Sequence, residues 1–150
     1  MRIKRSPAEY YLMDIRRLEI TIQSINAELN DLMRSCGGLK GVSYDGISVQ
    51  TTKSLSPLES LYISSHDRID KLSRDLCELR TRRNHMIDQI RQMPNEDHAN
   101  ILALIFIDGK SWQSVIDKIA YSEDYCWKLR RKALNDFNER YLKKISNNNQ

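Results

Sequence analysis

Glycine, proline and aromatic residues are all scarce in this chain. Of its 150 residues, 5 are Gly, 3 are Pro and 7% carry an aromatic ring. So few turn-forming residues point away from a strand-rich fold and towards helices with long solvated faces. Cysteine is also sparse: Cys36, Cys77 and Cys126 are odd in number and far apart, with no CxxC pair or Cys/His cluster. That pattern argues against a disulfide framework and a zinc site, and reduced thiols suit a cytosolic chain. Cys77 and Cys126 fall on apolar faces, which predicts two buried small hydrophobes. His66, His85 and His98 lack ligand spacing, so no metal and no other cofactor is expected. The start, "MRIKRSPAEYYLMDIRR", is basic but holds no uninterrupted apolar run. Neither a signal peptide nor a membrane span is expected, and the protein reads as cytoplasmic. The glycines between 37 and 46 have no Lys-Ser/Thr sequel, and no Ser or Cys stands in a recognisable nucleophile motif. No enzymatic activity and no catalytic residue is expected.

What is present is helical punctuation. "SPAE" at 6–9 and "SPLE" at 56–59 each place Ser at the cap, Pro at the first helical position and Glu at the third. The Ser oxygen can accept from an otherwise unpaired amide, Glu can reach back, and Pro gives up no useful donor. After the first start, Tyr11, Ile15, Leu18, Ile22, Ile25, Leu29 and Leu32 recur at alternating steps of four and three, a heptad seam. Gly37-Gly38 is the expected stop. After the second, Leu58, Tyr62, Ser65, Ile69, Leu72, Leu76, Leu79, Arg83, Met86 and Ile90 keep the same rhythm, with Ser65 and Arg83 as polar interruptions. Two helices of about 30 and 35 residues, roughly 45 and 50 Å long, are predicted. A single greasy stripe cannot be left in water, so the seams must be covered. Residues 1–93 are thus expected to form an antiparallel helical hairpin, with a homodimeric coiled coil as the alternative. A glycine-rich linker spans 37–55, where "ISVQTT" suits either a short strand or a loop.

From Pro94 the pattern changes. "NEDHANILALIFIDG" reads as a helix capped by Asn95, with early acids complementing its dipole and Gly109 as its stop. Ile101, Leu102, Leu104, Ile105 and Ile107 are its expected inward residues. Ser111 caps a short helix from Trp112 to Ile119, "AYS" makes a tight turn, and Ser122 caps a last helix. Two short helices joined in this way, after a third, make a helix-turn-helix, expected over 94–145, with a disordered tail at 146–150. Trp112, Val115, Ile116 and Ile119 face inward on one helix, and Cys126, Leu129, Ala133 and Leu134 on the next. Glu123, Asp124, Tyr125, Trp127, Lys128, Arg130, Arg131 and Lys132 are left outside. The net charge is only +4, but residues 123 to 144 hold seven Lys or Arg against four acids, a local bias towards a polyanion. The expected fold class is all-α.

Residues 111–134 resemble region 4 of the sigma-70 family. Ser111 stands at the cap, Trp112 and Val115 in the first core slots, and Ile119 at the leucine slot. Ser122 caps the recognition helix, Cys126 and Leu129 fill its apolar slots, and Ala133-Leu134 is the closing pair. Ala120 stands where the family prefers Gly, at a position that needs a left-handed backbone. Ile116 replaces the small residue that lets the two helices cross closely. The whole chain resembles small phage and prophage transcription regulators of the ArpU and RinA kind, which join a helical region starting near "YLMDIRRLEITI" to a sigma-like helix-turn-helix and often carry a "VQT" element, here Val49 to Thr51.

That resemblance implies a DNA-binding activator of phage late or packaging genes in a bacterial host cell. Its partners would be double-stranded promoter DNA and host RNA polymerase. The first turn of the recognition helix would enter the major groove. Asp124 or Glu123 would accept from cytosine, Lys128 would donate to guanine, and Tyr125 or Trp127 would press on a thymine methyl or sugar. Ser111, Arg130, Arg131 and Lys132 would touch phosphates, with Ser122 as cap at the DNA face. A homodimer would set two recognition helices roughly 34 Å apart. Two other readings stand beside this one: a protein-interaction inhibitor or adaptor whose helix-turn-helix has decayed, and a terminase small subunit.

Overall fold

The computed structural model describes residues 4–39 and 57–143. Every element is helical and no strand occurs among the described residues, so the fold is all-α. Helix α1 runs Pro7–Leu39 and α2 runs Pro57–Arg91. Then come α3 (Glu96–Leu102), a π-helical turn (Ala103–Ile107), α4 (Trp112–Ile119), α5 (Glu123–Phe137) and a second π-helical turn (Asn138–Leu142). The serine half of the first helix start is as predicted, with Ser6 Oγ accepting from the Glu9 amide at 3.2 Å, while the Glu9 carboxylate accepts from Arg130 at 2.8 Å. The expected stop at Gly37-Gly38 is not a stop, because α1 continues through both glycines to Leu39. The rest of the expected linker, the "ISVQTT" and "VQT" segments and the tail at 146–150 lie outside the described residues.

The chain forms two compact units, residues 1–20 with 81–150 and residues 21–80. This division does not follow the expected boundary at 93/94. The reason is visible in the first unit, where the start of α1 and the end of α2 share a core with the short helices.

In the 21–80 unit, Ile22 and Leu29 of α1 meet Leu72 and Leu76 of α2, with Ile25, Leu32, Ile69 and Leu79 packed around them. These are seam residues, and here the two seams cover each other within one chain. Arg68 donates to Glu28 at 2.8 Å and Arg80 to Asn26 at 3.3 Å along the flanks of the pair. Cys77 is exposed, contrary to expectation. It follows Leu76 by one residue, which turns it about 100° away from the stripe. Leu58 and Tyr62, at the start of the α2 seam, are also exposed.

In the other unit, Ala8, Leu12, Ile15 and Leu18 of α1 and Met86, Ile90 and Met93 near the end of α2 are buried together with Ile101, Leu102, Phe106, Val115 and the inner face of α5. Ala8 continues the heptad seam backwards, one heptad before Ile15, whereas Leu12 lies off it and is buried because α1 here meets both α2 and α5. Arg83 is the seam's polar interruption, and its Nη1 donates to Glu19 Oε2 at 2.5 Å. The Tyr11 hydroxyl donates to Gln89 at 2.9 Å, and its ring lies 5.8 Å from that of Phe137. Burial raises the Tyr11 pKa above the ordinary value of 10.0, against the opposing pull of Arg82.

Asn95 caps α3 as expected, accepting from the Asp97 and His98 amides at 3.0 and 3.2 Å. His98 then bonds Asp136 of α5 at 3.0 Å. The π turn after α3 alters the expected inward set. Its bond from the Asp108 amide to the Ala103 carbonyl spans five residues, which widens the turn and shifts the phase of the side chains. Phe106, one helical turn after Leu102, is buried, while Leu104, Ile105 and Ile107 are only half-buried. Gly109 follows with φ +62, and a Cβ there would run into the Arg16 guanidinium.

Two outcomes are expected. Gly109→Val should lower stability by about 1–2 kcal/mol from left-handed strain alone, read as a drop in the urea midpoint; an unchanged midpoint would contradict the stated φ. Unfolding releases Tyr11 to its ordinary pKa, so its contribution is full below about pH 10 and declines as pH rises towards the folded-state value. Tyr11→Phe should therefore flatten the loss of thermal stability as pH rises above about 10.

Candidate nucleic-acid interface

The two helices of the expected helix-turn-helix begin identically. Ser111 Oγ accepts from the Ser114 amide and Ser122 Oγ from the Tyr125 amide, each at 3.3 Å. Each satisfies one of the amides that a helix start leaves unpaired. A serine oxygen used this way keeps its own O–H, so both hydroxyls remain able to donate outward. Between the helices Ala120 adopts φ 60, ψ 29, and its amide bonds the Ile116 carbonyl. The left-handed turn expected at this position is therefore made by alanine, which pays a steric penalty that glycine would not.

The inner face of α5 is complete. Cys126, Leu129, Ala133, Leu134 and Phe137 are all buried there, against Val115 of α4 and the α3 layer. Phe137 extends the expected face by one further turn. Trp112, Ile116 and Ile119 of α4 are half-buried, and the Trp112 Nε1 is buried with no hydrogen-bond partner among the described residues.

Opposite that face, Glu123, Asp124, Tyr125, Trp127, Lys128, Arg131 and Lys132 are exposed. Tyr125 and Trp127 keep 45% and 47% of their surface accessible, far more than a core ring would. Glu123 and Asp124 sit in the first turn, where the helix dipole favours negative charge. The basic residues follow from the second turn onward.

Arg130 departs from this set. Its Nη2 donates to Glu9 Oε1 of α1 at 2.8 Å, and both side chains are less than a quarter exposed. Its guanidinium also lies 5.7 Å from the Trp127 ring centroid. Arg130 was expected at phosphates, but its charge is engaged inward by α1. Nothing in the sequence around Arg130 signals a partner 121 positions away.

Two ring pairs were also absent from the sequence reading. Trp127 packs on Trp112 with centroids 4.4 Å apart, and Tyr125 meets Tyr121 edge-on at 4.7 Å. The second pair could have been found, since Tyr121 precedes Tyr125 by one helical turn. The first joins two helices and depends on how they cross.

A profile of the family described as "Protein of unknown function (DUF1492)" matches residues 49–138, more than half of the chain. The chain belongs to the DUF1492 family. The matched span contains α2, α3, α4 and α5 entire, so the two capped helices and their turn lie within the family's shared region. No curated protein and no solved structure matches the chain. Among the described residues there is no group of three or more His, Cys, Asp or Glu side chains that could hold a metal ion. No described helix is long and apolar enough to cross a membrane.

Ala120→Gly should raise the urea midpoint, since the left-handed penalty of roughly 1–2 kcal/mol exceeds the entropy cost of glycine, about 0.5–1 kcal/mol. Glu9→Gln should destabilise the protein by about 1 kcal/mol. A double-mutant cycle with Arg130→Met should assign most of that loss to the pair, and the coupling should shrink as salt rises. A coupling indistinguishable from zero would mean that the Arg130–Glu9 contact holds nothing.

Proposed function

We propose that this DUF1492 protein binds double-stranded DNA sequence-specifically and regulates transcription of phage or prophage genes. Its place of action would be promoters of late or packaging genes in the bacterial cytoplasm, with host RNA polymerase as a further partner. One observation carries the reading: α5 buries one complete face while its opposite face, opened by the Ser122 cap, leaves Asp124, Trp127 and Lys128 exposed. A helix held in that way can lie in the major groove without rearrangement.

Within the groove, Asp124 would accept from a cytosine amino group and Lys128 would donate to guanine. Arg131 and Lys132 stand one turn beyond Lys128, where the helix would leave the groove and meet phosphates. Ser111 and Ser122 would donate their remaining O–H groups to the backbone. The likeness of residues 111–134 to sigma-70 region 4, and of the chain to ArpU- and RinA-type regulators, supports the same reading.

A second reading, a protein-interaction adaptor, draws on the α2 start, where Leu58, Leu61, Tyr62 and Ile63 are all exposed. Leu58, Leu61 and Tyr62 fall on one arc of the helix, and exposed apolar surface of this kind marks interaction sites.

Selection from a pool of random-sequence duplexes, followed by gel shift over a salt series, decides between them. The expected result is an enriched motif with strongly salt-dependent affinity. Lys128→Ala should lose about 1–3 kcal/mol at one base pair of the motif. Arg131→Ala should weaken all duplexes alike and reduce the salt slope by about one. Absence of both motif and salt-dependent binding would leave the adaptor reading standing in place of this one.

A further inference from the structure

The two exposed rings of α5 are not scattered. At 3.6 residues per turn, Trp127 and Tyr125 point roughly 160° apart around the axis, yet they are only two residues, about 3 Å, apart along it. Between them on the exposed arc stand Asp124 and Lys128. Each ring packs on another from outside α5: the half-buried Trp112 of α4 against Trp127, and Tyr121 of the turn, itself exposed, edge-on to Tyr125. The outer face of the helix is thus a polar strip with an aromatic edge on either side.

A helix with its side chains is about 10–12 Å across, and the major groove is about 12 Å wide. A helix lying in the groove therefore presents its centre to base edges and its two flanks to the two sugar-phosphate walls. We infer that Trp127 and Tyr125 are wall contacts, one on each strand, and that Trp112 and Tyr121 are positioning residues that hold them at the groove's width. The inference rests on the DNA-binding reading and deepens it. It narrows the expectation that these rings press on a thymine methyl or sugar to the sugar-phosphate walls alone. Indole N–H and phenol O–H both suit phosphate oxygens, and the ring faces suit deoxyribose. Rings already packed on a neighbour lose little side-chain freedom on binding, which favours their use as fixed spacers.

Wall contacts carry no base information and release no counterions. Trp127→Ala and Tyr125→Ala should each weaken binding to any duplex by about threefold to tenfold, the range for one lost polar contact. The preferred sequence and the slope of log affinity against log salt should stay unchanged. Tyr121→Leu should reproduce most of the Tyr125→Ala loss, whereas Tyr121→Phe should restore binding. Trp112→Phe keeps a backing ring and leaves Trp127 as the sole tryptophan, since the chain has two. Its fluorescence should change on adding either motif or random duplex, and circular dichroism should confirm that each variant is folded.

The wall assignment is overturned if the ring variants bind as tightly as the parent while Lys128→Ala and Arg131→Ala lose affinity; DNA binding would then survive without it. It is equally overturned if Trp127→Ala or Tyr125→Ala shifts the selected motif, which would make the ring a base reader. A parent protein that binds no duplex overturns both the wall assignment and the reading beneath it.

Discussion

The burial of one face of α5 governs the candidate interface. Cys126, Leu129, Ala133, Leu134 and Phe137 leave the helix no freedom to roll, because any rotation would bring at least one of them into water. A buried side chain of leucine or phenylalanine size is worth about 1.5–3 kcal/mol against exposure. Three such side chains, Leu129, Leu134 and Phe137, with the smaller Cys126 and Ala133 beside them, define its orientation far more strongly than any surface ion pair. The outer face with Asp124 and Lys128 is therefore a consequence of the core, and its direction is set before any partner arrives.

Around that constraint the finer positioning is polar and local. Two serine caps start the helices, and one alanine in left-handed geometry sets the angle between them. Two contacts tie α5 down, Arg130 to Glu9 at its middle and Asp136 to His98 near its last residue. Both bind it to elements outside the helix pair. The short helices belong to one compact unit with residues 1–20 and 81–93, so the start of α1 is part of the platform beneath the candidate interface rather than a separate arm.

Much of this was legible along the chain because its causes are short-range. The caps at Ser6, Asn95, Ser111 and Ser122 depend on residues two or three positions away. The seams depend on steps of three and four, and the left-handed turn at Ala120 on the length of one loop. What could not be read had distant or phase-shifting causes. Cys77 was misplaced because one position past the stripe is already far around the helix. Ile105 is only half-buried although it stands one α-helical turn after the buried Ile101, because the π turn shifts the phase there; Phe106, one turn after Leu102, was within reach of the periodicity. Gly37-Gly38 did not end α1, since glycine lowers helical preference without forbidding a helix that has other support.

The sequence by itself determined that the chain is all-α, where four of its helices begin, and which face of α5 is apolar. These follow from hydrogen bonding and periodicity within a few residues. Only the tertiary structure decided which cations remain at the surface and that Trp112 and Trp127 meet across two helices. Arg130 and Arg131 are neighbours with the same chemistry, yet one is drawn to Glu9 and the other left exposed. The difference lies in the packing of α1 beside α5, an arrangement across more than a hundred residues that no local pattern encodes.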